Sequence, residues 1–174
     1  MKTSSRSPLM FVLFTLVAFS PAFGAELRET AGGPDTANTV VNLNGAILVS
    51  DGTAAPGVNV GINTRISEEA PLYAGAELGT FLATGNNSYA VLPFMGDIYY
   101  QFQPVAVVHP LVGIMAGPVL STGGGFSTAR LGLIFRPGLN FELGKRAALN
   151  VEPRFGVIGS EFVFIPQVGA VFAL

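Results

Sequence analysis

The chain is predicted to be all-β: an eight-stranded antiparallel up-and-down transmembrane β-barrel preceded by a cleaved signal peptide. Three observations predict this. In Arg130 to Leu143, Leu131, Leu133, Phe135, Leu139, Phe141 and Leu143 share one parity, and Arg130, Gly132, Arg136, Gly138, Asn140 and Glu142 share the other. That is a two-sided strand, longer than the ~5–6 residues usual in soluble sheets and suited to a tilted bilayer crossing. Six further stretches repeat the pattern between Gly-, Asn- and Pro-containing turns, and a seventh matches them in length. Finally, 49% of the residues are hydrophobic and only 11% charged, too little charge for a conventional polar surface.

Lys2 and Arg6 precede an apolar run from Leu9 to Phe19, followed by Ala22-Phe23-Gly24. This reads as a signal peptide over 1–24, cleaved after Gly24, since the apolar core is too short for a span. Residues 25–37 are polar and hold Gly32-Gly33-Pro34-Asp35, a flexible N-terminal segment, which leaves 38–174 for the barrel. With no cysteine there is no disulfide or zinc-thiolate site. Removing the leader leaves seven basic against eleven acidic residues, without the basic stripe of a nucleic-acid-binding surface.

The expected strands follow in order. Strand one runs from about Val40 to Ser50, ahead of a turn from Asp51-Gly52 to Pro56-Gly57; strand two spans about Val58 to Ile66; strand three is Leu72 to Ala83, closed by Thr84-Gly85-Asn86-Asn87. Strand four is Tyr89 to Phe102, and strand five, about Val107 to Leu120, alternates too poorly to fix its parity. Ser121-Thr122-Gly123-Gly124-Gly125 reads as a surface loop, because no lysine or helix follows to make it a phosphate cradle. The template strand is sixth; strand seven is Ala147 to Ile158, Gly159-Ser160 is a two-residue hairpin turn, and strand eight is Glu161 to Leu174. Strand prolines Pro93, Pro137, Pro153 and Pro166 are expected to mark bulges.

Alternation does not say which parity faces inward. If the apolar parity faced in, as in a soluble ligand-binding calyx, glycines such as Gly61, Gly75, Gly132 and Gly169 would line the outside, where they are poor sheet residues. The inverted arrangement, apolar outward, is preferred. Tyr100, Phe102, Phe141, Phe162 and Phe172 near strand ends are then expected to form interfacial girdles. Pro110-Leu111-Val112-Gly113-Ile114-Met115-Ala116-Gly117, Asp97-Ile98-Tyr99-Tyr100-Gln101-Phe102 and the final strand Gln167 to Leu174 give the chain a resemblance to the small eight-stranded outer-membrane β-barrels, such as the OmpA and OmpX transmembrane domains and OmpW-like barrels. The resemblance implies a Gram-negative outer membrane, contact with its lipid, a monomer, and recognition of the C-terminal strand by the barrel-assembly machinery.

Little here suggests catalysis. His109 is the sole histidine, set between Val108 and Pro110 near a turn, and no nucleophile pairs with a base, so no catalytic residue, metal or cofactor is expected. By parity the inward acids are Glu77, Asp97, Glu142 and Glu152 and the inward bases Arg65, Arg130, Arg136 and Arg154, with Arg130 and Glu142 near enough to strand ends to be solvated. An eight-stranded barrel is just wide enough for side chains to fill. Arg65, Glu77, Asp97, Arg136, Glu152, Arg154 and Gln167 are therefore expected to form a lumen ion network, with Glu142 facing Arg146, Arg136 facing Glu152 rather than Arg154, Ile158 facing Glu161 and Glu152 facing Gln167. The expected function is a non-catalytic outer-membrane barrel, structural or surface-interacting, whose lumen is plugged by paired charges. A narrow channel or a barrel admitting a small molecule is the alternative, and a soluble periplasmic lipocalin-like calyx the third.

Overall fold

The computed structural model describes residues 38–84, 88–102 and 107–174. The expected signal peptide, the segment 25–37 and the turn residues Gly85-Asn86-Asn87 lie outside them. Eight strands, β1 (Thr39–Ser50), β2 (Thr53–Arg65), β3 (Leu72–Ala83), β4 (Tyr89–Gln101), β5 (Val108–Gly123), β6 (Phe126–Gly144), β7 (Ala147–Ile158) and β8 (Glu161–Ala173), pair in sequence order, and β1 closes on β8. All pairings are antiparallel. Leu174 N–H donates to Thr39 O at 3.0 Å, so the start of β1 and the end of β8 meet at one rim, here the terminal rim. The far rim carries the turns β1–β2, β5–β6 and β7–β8.

At two turns the strand boundaries differ from the sequence reading, because each turn is tighter than its composition suggests. Asp51 (φ 46°) and Gly52 (φ 76°) alone reverse the chain, the paired positive φ that matches strand twist, so β2 begins at Thr53 rather than Val58. Likewise Gly124 (φ 58°) and Gly125 (φ 83°) form the whole β5–β6 turn, and Ser121 to Gly123, expected as loop, continue β5.

The apolar parity faces outward. Leu43, Val60, Leu78, Phe94, Ile114, Leu133, Phe155 and Phe164 are all exposed, a continuous belt that water could not wet cheaply. β5 now has a parity: His109, Leu111, Gly113, Met115 and Val119 face in. Leu111, Met115 and Val119 on the inward face are as apolar as Val112, Ile114 and Leu120 on the outward one, so alternation could not show it.

The register is as expected between β7 and β8, where Ile158 faces Glu161 and Glu152 faces Gln167. Between β6 and β7 it is corrected. A bulge between Glu142 and Gly144 absorbs one residue at the hairpin, and Glu142 faces Ala148, not Arg146. Counting from Phe135↔Phe155 or from Leu139↔Val151, Arg136 stands opposite Arg154. The expectation rejected that register for its like charges, but the Glu152 carboxylate lies between the two guanidiniums and bonds both. The strand prolines do not mark bulges either: the ladder is interrupted near Pro93, Pro118, Pro166 and the pair Pro137 and Pro153, yet the register is unchanged across each gap.

Candidate functional site in the barrel lumen

The lumen is built in two layers. Toward the far rim, Ala46, Leu48, Ala55, Phe81, Ala83, Val91, Met95, Met115, Val119, Ile134, Ile158, Val163 and Ile165 form one buried apolar cluster. Toward the terminal rim the inward residues are polar, ending in two small apolar groups, Val40 with Ala148 and Val171, and Tyr73 with Tyr99 and Leu111. The expectation of a lumen filled by paired charges is thus corrected for the far half, which is an apolar plug. Its signal was present in the inward parity of Ile134 and Ile165.

Glu152 on β7, 1% exposed, is the centre of the polar layer. Arg136 reaches it from β6 through Nε (3.2 Å) and Nη2 (2.6 Å), and Arg154 through Nε (2.6 Å). Asn150 and Gln167 add amide donors at 3.0 and 3.2 Å. The remaining guanidinium edges reach across the barrel: Arg136 Nη1 donates to Asp97 on β4, and Arg154 Nη1 and Nη2 donate to Glu77 on β3 at 2.5 and 2.8 Å. Asn63, its amide turned so that nitrogen faces Asp97, donates to that carboxylate at 2.8 and 3.0 Å, and Arg136 also lies 4.7 Å over the Tyr99 ring, which stacks on Tyr73. Two guanidiniums therefore tie three carboxylates from β3, β4 and β7, each buried charge meeting the partners it needs.

Six of the seven residues expected in the network, Glu77, Asp97, Arg136, Glu152, Arg154 and Gln167, are brought together here. Arg65 is not. It ends β2, and its guanidinium bonds the carbonyls of Ser67 (2.9 Å) and Glu68 (3.3 Å), bracing the β2–β3 turn. Arg130 pairs with Glu161 in solvent at the far rim. His109, expected at a turn or an interface, is buried within β5, facing the lumen with Nε2 3.7 Å from Glu142. Of the aromatics expected at the interfaces, Tyr100, Phe102, Phe141 and Phe172 face outward near the terminal rim, Tyr100 edge-on to Phe102 at 4.9 Å, and Phe162 near the far rim.

Sequence reasoning placed asparagines on inward faces but missed their part in the site. Asn140, Asn150, Gly169, Asn44, Asn59 and Gly79 face one another in turn across β6, β7, β8, β1, β2 and β3. Asn150 donates to Asn140 at 2.7 Å, and Asn59 to Gln167 at 3.0 Å. The glycines have a steric reason: a Cβ on Gly169 would sit 2.2 Å from Asn44 Oδ1, on Gly79 2.3 Å from Asn59 Oδ1, and on Gly138 2.6 Å from Glu152 Cγ. These inward side chains lie over a neighbouring strand's glycine, which makes room for them in so narrow a tube. A void of about 20 Å³ in the lumen is lined by Asn59, Glu77 and Arg154 below and by Phe81, Met95 and Ile134 above, room for roughly one water.

No family model and no curated protein matches this chain. Solved structures do. The Neisserial surface protein A (NspA) aligns with a TM-score of 0.64 at 12% identity, over 78% of this chain and 96% of its own. The attachment invasion locus protein Ail of Yersinia pestis aligns with a TM-score of 0.51 at 11% identity, over 78% and 96%. A major outer membrane protein from Thermus thermophilus gives 0.51 at 11%, over 78% and 99%. At such identities the likeness speaks for the fold, and the fold of this chain is that of the small eight-stranded outer-membrane β-barrels.

Proposed function

We propose that this protein is a non-catalytic, structural barrel of the Gram-negative outer membrane, exported by its signal peptide and inserted as a monomer with its lumen closed. One observation carries the reading: a closed ladder with an apolar belt outside and a lumen packed from the apolar plug to the Glu152 network. In hydrocarbon every backbone polar group needs an internal partner, and a closed barrel supplies them. Tyr100, Phe102, Phe141 and Phe172 would anchor the terminal rim at the interface. Among the described residues, the far-rim hairpins β1–β2, β5–β6 and β7–β8 turn in two residues each, which supports a structural role over adhesion.

The test is fractionation of the native protein and reconstitution into phospholipid vesicles, with unheated and heated samples compared on a gel. Recovery from the outer-membrane fraction and faster migration of the unheated band are expected. Recovery as a soluble periplasmic protein with no heat-dependent shift would overturn the reading in favour of the calyx.

A second reading, a barrel admitting a small apolar molecule from the side, has one observation in its favour. A groove of about 540 Å³ on the outer face, where Ala76 opposes Gly96, shares Glu77 and Met95 with the lumenal void. Met95→Trp would thicken the wall between groove and void. Loss of uptake of an apolar fluorophore into the lumen on that substitution would support this reading, and absence of uptake by the parent would exclude it.

A further inference from the structure

The prolines of β6 and β7 fall where the barrel can least accommodate them. Gly159 N–H donates to Leu131 O across these strands at 2.8 Å, so the odd-numbered residues form the bonding pairs, 135 with 155, 137 with 153 and 139 with 151. The other edges agree. Glu142 N–H bonds Val107 O, which turns the even residues of β6 toward β5, and Ala173 N–H bonds Arg146 O, which turns the even residues of β7 toward β8. Pro137 and Pro153 thus point their nitrogens and carbonyls at each other. A facing pair in this position exchanges two N–H···O=C bonds; with two prolines neither donor exists. The ladder is interrupted at this place, between Phe135↔Phe155 and Leu139↔Val151. Among the described strands the other gaps, at Gly79 and Pro93, Phe94 and Pro118, and Ile47 and Pro166, each lack one donor.

Behind the doubly deficient position stands the bidentate pair. Arg136 immediately precedes Pro137 and Glu152 immediately precedes Pro153, both face the lumen, and the two bonds of Arg136 to Glu152, at 3.2 and 2.6 Å, cross from β6 to β7. Two charged side-chain bonds therefore stand one residue away from two absent backbone bonds.

We propose that β6–β7 is the lateral seam of this barrel, held shut by the Arg136–Glu152 clasp in place of the backbone bonds that Pro137 and Pro153 remove, so that releasing the clasp opens the wall along this line. Asp97 and Arg154 keep the clasp aligned: Asp97 takes the third edge of the Arg136 guanidinium, and Arg154 holds Glu152 from its own strand. The other charged group near the clasp, Glu77, reaches it only through Arg154.

The test is residue-resolved amide hydrogen exchange on the full chain in phospholipid nanodiscs. It rests on the closed-barrel reading, which the heat-dependent gel shift of each variant checks separately. In Glu152→Gln, exchange at Phe135, Leu139, Val151 and Phe155, which donate across the seam, should rise about tenfold or more, and at Ile134 and Asn140, which donate to β5, less than about threefold. In Pro137→Val/Pro153→Val, which restores both donors, the seam amides should slow about tenfold, and adding Glu152→Gln should then change them less than about threefold. Equal acceleration on both edges of β6, or the same acceleration with and without the prolines, would overturn the proposal. If Glu152→Gln fails to fold, the proline replacements decide alone: slowing confined to the seam amides supports the clasp and unchanged exchange overturns it.

Discussion

Consider Arg154→Met. The arginine gives two bonds to Glu77, at 2.5 and 2.8 Å, and one to Glu152 at 2.6 Å, and the Glu77 side chain is 5% exposed. Methionine fills much of the stem volume but strands a buried carboxylate, which typically costs about 3–5 kcal/mol. Adding Glu77→Met removes that carboxylate. What then remains is chiefly the missing bond to Glu152, worth roughly 1.5–3 kcal/mol, and Glu152 keeps Arg136, Asn150 and Gln167. The double variant should therefore be more stable than the single one although it carries one more substitution. The chain has no tryptophan, so urea unfolding in lipid vesicles would be followed by far-ultraviolet circular dichroism and by the unheated gel band. A double variant no more stable than Arg154→Met would refute the assignment of Arg154 as the charge partner of Glu77.

Three further outcomes follow from the same structure. Leu133, 53% exposed on the outward face, should tolerate arginine poorly, at about 2–4 kcal/mol near the bilayer midplane, and equal urea midpoints for Leu133→Arg and parent would show that this face does not meet hydrocarbon. Purified protein in a planar bilayer should give no reproducible conductance steps, because the apolar plug and the Glu152 network pack the lumen in series; regular steps would show the plug to be open. Gly169→Ala would set its Cβ 2.1 Å from Leu43 O and should cost about 1–3 kcal/mol, measured as a lower urea midpoint, whereas an unchanged midpoint would mean that β8 can retreat from β1 without loss.

Strand number, order and facing were legible because an outward apolar parity and an inward polar one recur at period two, and β6 states that rule most plainly. What could not be read has specific causes. β5 carries apolar residues on both faces, so Met115 and Val119 looked no different from Ile114 and Leu120. The β6–β7 register turned on one bulged residue beside Gly144, and a pairwise charge rule chose wrongly because a third group, Glu152, mediates between Arg136 and Arg154. Arg65 shares the inward parity of Asn63, but it stands at the last residue of its strand, where turn carbonyls are nearer than the lumen. Parity says which face a side chain occupies, and depth along the barrel decides what it meets there.

Closure of the barrel joins β1 to β8, and the other seven seams join strands adjacent in the chain. Most of the ladder can therefore form through short-range hairpins, four of them reversed by two-residue turns, at small loop-closure cost. The long-range search is concentrated in a single event, the meeting of the first and last strands. That event has a weakened bonding position at Ile47 and Pro166 but a full set of contacts from Val40↔Ala173 to Ala46↔Gln167. The full contacts lie toward the terminal rim, so the seam between the first and last strands is best fastened there, and without it the same eight strands would form a sheet with two free edges, β1 and β8.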